Sequence, residues 1–260
     1  MSTILERRGL IRSNEALTET LWLMKIEVED IGAQLQPGQF IHVQIPGMEG
    51  HILRRPFSVY FTDEDRRVLV ILYQVVGFGS AHMTTLTPGA IMDVMGPIGH
   101  GWTIPNGSQR ALLVAGGVGG APLYLFAEAL VQAGVEVDFI LGAQTKDALV
   151  VEQRYQNLLE KDLYIATDDG SKGHHGFCTD LVAQQIDNTK YDFVACCGPE
   201  PMMHIVSDMT LKASIPTFIS LEKRMACGIG ACLSCIVETT NGRKRSCIDG
   251  PVFDAAEVIW

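Results

Sequence analysis

The amino-acid sequence predicts three segments in series: an antiparallel β-barrel over residues 1–103, a parallel-sheet α/β domain over 104–219, and a small cysteine-bearing domain over 220–260. Three observations lead there. The first segment strings short β-branched runs between Pro-Gly pairs. The second alternates near-continuous apolar runs with helix-like stretches. The third holds four of the seven cysteines between positions 227 and 247.

In the first segment, strands are expected at Leu21–Val28, Phe40–Ile45, Pro56–Phe61, Val68–Val76 and Ile91–Met95, punctuated by Pro37-Gly38, Pro46-Gly47 and Pro88-Gly89. Short strands at that spacing suit a small barrel. A short helix is expected over Ser80–Leu86. In the second segment, apolar strands at 111–117, 135–143, 163–167, 191–198 and 216–221 alternate with helices near 120–133, 150–160, 177–187 and 200–213. Strands apolar on both faces belong to a covered parallel sheet. Such sheets bind ligands at the carboxyl ends of their strands. The last segment adds one strand, Ile236–Thr239, and has little core of its own, so a metal centre is expected to hold it together.

Composition narrows the function. A net charge of −10 argues against a nucleic-acid binder. No apolar run approaches the roughly 20 residues of a membrane helix, and the N-terminus lacks a signal-peptide core. A cytoplasmic protein with reduced thiols is expected.

Three motifs bear on small-molecule chemistry. Arg54-Arg55-Pro56-Phe57-Ser58 suits a flavin nucleotide: a guanidinium for pyrophosphate, a ring to cover the flavin, a hydroxyl for a ring nitrogen. Any strand with Arg and Phe on one face would read the same. Leu72-Tyr73-Gln74 ends a strand nearby, and Gly79-Ser80 opens the short helix, where free N–H groups favour an anion. Gly116-Gly117-Val118-Gly119-Gly120-Ala121-Pro122 follows an apolar strand; its glycines allow close backbone approach and Pro122 suits a first helical turn. It departs from G-x-G-x-x-G, and a plain strand-to-helix turn is the alternative. Cys197-Gly198-Pro199-Glu200 should reach the same sheet edge, where Cys197 either lines a nicotinamide pocket or fills space as a small buried residue.

The fourth motif is the most specific. Cys227-x4-Cys232-x2-Cys235 with a distant Cys247 has plant-type [2Fe-2S] spacing. Structural zinc is the other use of four cysteines, although its first pair is usually tighter. Cys178 and Cys196 have no pattern, Arg243 to Arg245 read as a solvated turn or a docking patch, and His174-His175 as a surface loop. No residue is assigned a catalytic role. The motifs support one another, because hydride brings two electrons, a [2Fe-2S] cluster takes one, and a flavin can split the pair.

The first 220 or so residues resemble the ferredoxin-NADP reductase superfamily, through Arg55-x-Phe57-Ser58, Gly116 to Pro122 and Cys197 to Pro199. With the cysteine tail and the Met95–Gly99 link, the chain resembles the electron-transfer subunits of class B, NAD-dependent dihydroorotate dehydrogenase. The resemblance implies FAD contacts at Arg55, Pro56, Phe57, Ser58, Leu72, Tyr73, Gln74, Gly79 and Ser80. It implies NAD contacts at Gly117, Gly119, Gly120, Cys197, Gly198 and Pro199, and cluster ligands at Cys227, Cys232, Cys235 and Cys247. It further implies an FMN-containing catalytic partner in an α2β2 assembly serving pyrimidine (UMP) synthesis. Phe57 departs from the tyrosine frequent in the wider superfamily, which keeps the ring cover and loses a phenol. Thr167-Asp168-Asp169-Gly170 would repel a 2′-phosphate and favour NADH, while Lys146 and Lys172 nearby pull the other way. Two rivals remain: a similar subunit of a sulfide dehydrogenase or bifurcating transhydrogenase, which often carries an aspartate among the cluster ligands, and a zinc-stabilised flavin-binding regulatory module.

Overall fold

A computed structural model describes residues 3–48 and 50–260 and divides into two compact units. The first unit runs to Gly101 and includes Glu222–Val237 and Arg243–Pro251. Its strands are β1 (Leu5–Ala16), β2 (Leu21–Glu27), β3 (Phe40–Gln44), β4 (Arg55–Ser58), β5 (Phe61–Thr62), β6 (Val68–Gln74) and β7 (Ile91–Ile98). They form one antiparallel half-barrel sheet in the order β4-β3-β7-β1-β2-β6-β5. Ile11, Met24, Ile26, Ile41, Val43, Ile71 and Val94 are fully buried in it. The short helices α1 (Ile31–Gln34) and α2 (Phe78–Met83) sit in its connections.

The central strand β1 has no counterpart in the sequence reading. Charged Glu6, Arg7, Arg8, Arg12 and Glu15 interrupt its apolar alternation, and Gly9 stands in its middle. Here the ladder makes the strand. A side chain on Gly9 would come within 2.6 Å of Ile26, so the glycine permits β1 and β2 to close. The charges pair at the rim, Arg7 with Asp30 at 3.0 Å, Arg12 with Glu27 and Glu6 with Arg54. The expected strand Pro56–Phe61 is instead two, β4 and β5, which lie at opposite edges of the sheet. The short helix begins at Phe78 rather than Ser80.

The second unit spans Trp102–Leu221 with Glu238–Gly242 and Val252–Trp260. It comprises β8 (Arg110–Gly116), α3 (Ala121–Gln132), β9 (Glu136–Ala143), α4 (Glu152–Leu159), β10 (Tyr164–Thr167), β11 (His174–His175), α5 (Cys178–Asn188), β12 (Phe193–Cys197), α6 (Glu200–Lys212) and β13 (Thr217–Ser220). A separate hairpin, β14 (Ile236–Thr239) and β15 (Gly242–Arg245), precedes β16 (Val252–Asp254). The sheet order is β11-β10-β9-β8-β12-β13-β16, parallel except for β16. Ala111 to Ala115 and Phe193 to Cys196 are fully buried, as strands covered on both faces must be. His174-His175, read as a loop, pairs with β10 as an edge strand. Arg243 to Arg245, read as a turn, forms β15. Among the described residues no helix is long and apolar enough to cross a membrane.

One buried charge ties the amino ends of this sheet together. Asp138 on β9 is 3% exposed and accepts hydrogen bonds from Lys161 (2.7 Å), Arg110 (2.8 and 3.0 Å) and Tyr191 (2.9 Å). Burial alone would raise its pKa, but these three donors outweigh it and hold the carboxyl below its ordinary value. A depressed folded-state pKa contributes stability that is fully present above the unfolded value, about 3.9, and is lost as pH falls through the folded value. Asp138→Asn is therefore expected to cost about 3 kcal/mol at pH 7, the low end for a broken buried pair because Arg110 and Lys161 keep partial solvent contact. Urea unfolding of the two proteins should converge as pH drops below 4. A gap that stays constant with pH would mean that the carboxylate charge is not the source.

Candidate functional site

In the first unit, β4 pairs with β3 alone, with Phe40 opposite Ser58, Ile41 opposite Phe57, His42 opposite Pro56 and Val43 opposite Arg55. Cross-strand partners share a face and neighbours alternate. Arg55 and Phe57 therefore lie on one face, and Pro56 and Ser58 on the other with His42 and Phe40. The Arg55 guanidinium lies against Gly79, whose missing side chain would fall 3.0 Å from Nε. Phe57 meets Tyr73 edge-on at 6.0 Å. The structure thus brings Arg55 to Gly79 and Phe57 to the end of β6. Leu72 and Tyr73 are core side chains, 6% and 2% exposed, whereas Gln74 is exposed. The Tyr73 hydroxyl donates to Asn14 at 2.9 Å, and burial, opposed by that bond, pushes its pKa up to about 12. The Ser80 hydroxyl is occupied locally, accepting from the N–H groups of Val76 and Gly77. The sequence reading missed an exposed apolar collar around this motif. His51 stacks on Phe78 at 4.9 Å, and Ile52, Leu53, Val76 and Phe78 are all exposed. Its signal was two apolar residues immediately before Arg54. A guanidinium beside open glycine backbone, an aromatic ring and an exposed apolar collar fit an anionic nucleotide with a flat ring.

In the second unit, the two glycine motifs meet at the carboxyl ends of adjacent parallel strands, where Cys197 pairs with Ala115. A 3-10 turn, Gly117–Gly120, runs into α3, whose start is fixed by the Trp102 indole donating to the Pro122 carbonyl (2.9 Å) and the Tyr155 hydroxyl donating to the Gly120 carbonyl (2.7 Å). The loops lie back to back. A Cβ on Gly119 would fall 2.3 Å from the Cys197 carbonyl oxygen, and one on Gly198 would fall 2.9 Å from the Gly116 nitrogen. Gly117 has positive φ and nothing within 4 Å of its would-be side chain, which leaves backbone open to a ligand. Cys197 is 2% exposed and its sulfur faces the Ser220 carbonyl at 3.7 Å, so its side chain packs inward and Gly198-Pro199 form the exposed lip. Burial drives the Cys196 thiol well above its ordinary pKa and the Cys178 thiol to about 11, so both are inert packing groups. Asp168 and Asp169 follow β10. Ser171 hydrogen bonds hold the Asp169 carboxyl below its usual range, and Lys172 is tied to Glu152 at 2.8 Å.

The four clustered cysteines lie in the first unit and are arranged two and two. Cys235 and Cys247 are buried with their sulfurs 3.4 Å apart, packed with Phe40 and Ile98 of the sheet. Cys227 is half-buried and accepts the Cys232 backbone N–H at 3.4 Å, while Cys232 is exposed. Gly228 and Gly230, both at positive φ, turn the loop between them. Among the described residues no three His, Cys, Asp or Glu side chains close on one point. Hydrogen bonds from Ser234, then Cys227, lower the Cys232 pKa to about 6, while burial, then Cys235, raises that of Cys247 to about 12. The donor set fits a two-iron cluster, in which each metal takes two thiolates. Arg245 is engaged with Asp249 (3.3 Å) and the Gly230 carbonyl (3.4 Å), so it braces the loop. His42, fully buried on β3, faces the same loop; the sequence offered no signal for it.

Three family models match: an oxidoreductase FAD-binding domain over residues 11–102, an oxidoreductase NAD-binding domain over 113–208, and the iron-sulfur cluster binding domain of dihydroorotate dehydrogenase B over 222–259. The dihydroorotate dehydrogenase B (NAD(+)) electron transfer subunit of Desulforamulus reducens is 36% identical over 243 residues, 92% of each chain. That of Geobacillus sp. (strain WCH70) is 39% identical over 237 residues, 89% of each chain. A solved structure of NADH-dependent reduced ferredoxin-NADP oxidoreductase, described in work on flavin-based electron bifurcation, superposes with a TM-score of 0.88 at 30% identity, covering 97% of this chain and 90% of that one. The ferredoxin reductase in carbazole 1,9a-dioxygenase shares the fold, with a TM-score of 0.70 at 22% identity over 82% and 67% of the two chains.

The back-to-back glycine loops give a direct test. Gly119→Ala must push the Cys197 carbonyl away and part the two loops. NADH affinity measured by calorimetry is expected to fall at least about tenfold, near 1.4 kcal/mol, with iron content and flavin content unchanged. Unaltered NADH binding would mean that the loops do not form the dinucleotide site.

Proposed function

The chain belongs to the family of dihydroorotate dehydrogenase B electron transfer subunits, and from that membership we propose that it carries electrons from an FMN-containing dihydroorotate dehydrogenase subunit to NAD+. In this reading FAD and a [2Fe-2S] cluster are its own carriers, the assembly is an α2β2 heterotetramer, and it works in the cytoplasm in pyrimidine synthesis. A flavin exchanges electrons singly or as hydride, and an iron–sulfur cluster exchanges them one at a time. The residues supply binding and separation. Arg55 neutralises the FAD pyrophosphate beside Gly79, Phe57 covers the ring, and Ser58 faces a ring nitrogen. Gly117, Gly119 and Gly120 let the NAD diphosphate approach the backbone, with Cys197, Gly198 and Pro199 bounding the nicotinamide side. Asp168 and Asp169 disfavour a 2′-phosphate, and Lys172 is withdrawn from that role by Glu152.

The observation that carries the reading is the partition of β3 and β4. Ser58 stands opposite Phe40, and Phe40 packs on Cys235 and Cys247. The flavin motif and the buried pair of cluster thiols are thus one side chain apart, as electron transfer between them requires. The outer pair, half-buried Cys227 and exposed Cys232, with exposed Ile229 and Leu233 between and beside them, is the face for a partner protein. The two-and-two arrangement supports a dinuclear cluster over a single zinc ion. Its relatives are named electron transfer subunits, which supports assigning substrate oxidation to the partner. The similarity to the ferredoxin-NADP oxidoreductase keeps a bifurcating or sulfide-oxidising complex as the second reading.

Dihydroorotate-dependent NAD+ reduction is expected only when the chain is co-purified with a dihydroorotate dehydrogenase catalytic chain. Activity should fall to background with Cys232→Ala, and NADP+ should be at least about tenfold poorer than NAD+ in kcat/KM. An inactive co-purified pair that still bleaches with NADH would move the chain to the second reading.

A further inference from the structure

His42 is the one histidine with no solvent exposure, and neither of its ring nitrogens has a hydrogen-bond partner among the described residues. Leaving such a group unpaired costs about 1–3 kcal/mol, and buried polar side chains are normally satisfied. The ring has a specific neighbour. Gly228, directly after Cys227, lies against it so closely that a Cβ there would fall 2.7 Å from His42 Nδ1 and 3.0 Å from Cε1, with the Met95 methyl on the other side at 2.9 Å. Phe40, which meets the His42 ring edge-on at 5.9 Å, packs against Cys235 and Cys247. The imidazole is therefore walled by the cysteine loop on the face of β3 that also bears Phe40. Near the ring, Phe40 and Gly228 offer no side-chain acceptor and the Met95 thioether only a weak one, whereas the sulfides of a cluster held by the loop would supply strong acceptors.

We propose that His42 is a positioning residue that donates an N–H hydrogen bond to the sulfur atoms of the iron–sulfur centre held by the Cys227 loop, and thereby raises the centre's reduction potential. The inference rests on the cluster reading above. Burial, reinforced by the Arg54 charge, keeps the ring neutral, with one N–H to donate. A donor to a cluster sulfur stabilises the reduced form more than the oxidised form, because the added electron increases charge on sulfur. Gly228 is the counterpart of this contact: any side chain there would occupy the space between ring and loop.

The test uses the whole protein with its cofactors bound. His42→Leu is expected to shift the one-electron reduction equilibrium of the cluster toward the oxidised form by roughly tenfold, about 59 mV lower, at unchanged iron and sulfide content, and His42→Asn to recover part of the shift. With 15N-histidine labelling, the reduced wild-type cluster should show a histidine-nitrogen coupling by electron–nuclear double resonance. His42→Leu with full iron content and an unmoved potential would overturn the proposal. If that variant cannot hold the cluster, absence of the nitrogen coupling in the wild-type protein would overturn it instead. Wild-type protein without iron would refute the cluster reading itself, which is a separate failure.

Discussion

Cys235 and Cys247 are buried against Phe40 and Ile98 of the half-barrel, with Met95, Met225 and Ile248 packed around them. The rest of the arrangement depends on that borrowed core. A segment of about forty residues buries too little apolar surface to order itself. It is ordered here by the sheet beneath it and by contacts at the end of β7. The His100 N–H donates to the Gly250 carbonyl at 2.6 Å, and the His100 ring Nδ1 lies 2.6 Å from the Ile248 carbonyl oxygen. The registry of β3 with β4 thus places Ser58 opposite Phe40, the residue that packs on Cys235 and Cys247.

The second unit solves a different problem with different means. Its glycine loops approach closely, backbone against backbone at Gly119 and Cys197 and with the Pro199 and Met202 side chains against Gly116, so the approach depends on the absence of side chains at Gly116, Gly119 and Gly198. Held apart from that edge, Asp138 and its three partners fix the amino ends of β8 and β9. A rigid end and an open end on the same sheet are what a parallel α/β domain offers a nucleotide.

The cysteine cluster, the glycine loop and the parallel strands were legible in the sequence because each depends on residue type at short spacing. What was not legible depends on pairing across long separations. The strand β1 reads as a charged tail until Arg7 meets Asp30 and Gly9 meets Ile26. The strand β15 hid in a basic run whose Arg245 is held by Asp249. The strand β16 is three residues that pair only because β13 presents an open edge. The sequence placed Leu72 to Gln74 at a strand end and Gly79-Ser80 at a helix start, and the structure adds that the Leu72 and Tyr73 side chains are buried and the Ser80 hydroxyl is bonded locally. Nothing in the local sequence separates His42 from an ordinary strand residue; its neighbour Gly228 lies far along the chain.

The two pairs of cysteines differ in the direction that matters for an electron relay. Cys235 and Cys247 are sealed among Phe40, Ile98, Met95 and Ile248, while Cys232 is exposed and Cys227 half so. A cluster bridging the pairs has one side in a water-poor wall shared with the flavin motif and the other side near solvent. Burial and hydrogen bonding to sulfur are the two levers that set such a centre's potential, and this chain applies them asymmetrically. Ser234 and the Cys232 N–H act on the outer pair. On the inner side a Gly230 backbone hydrogen bond acts on Cys247, and the buried His42 imidazole lies against the same loop at Gly228.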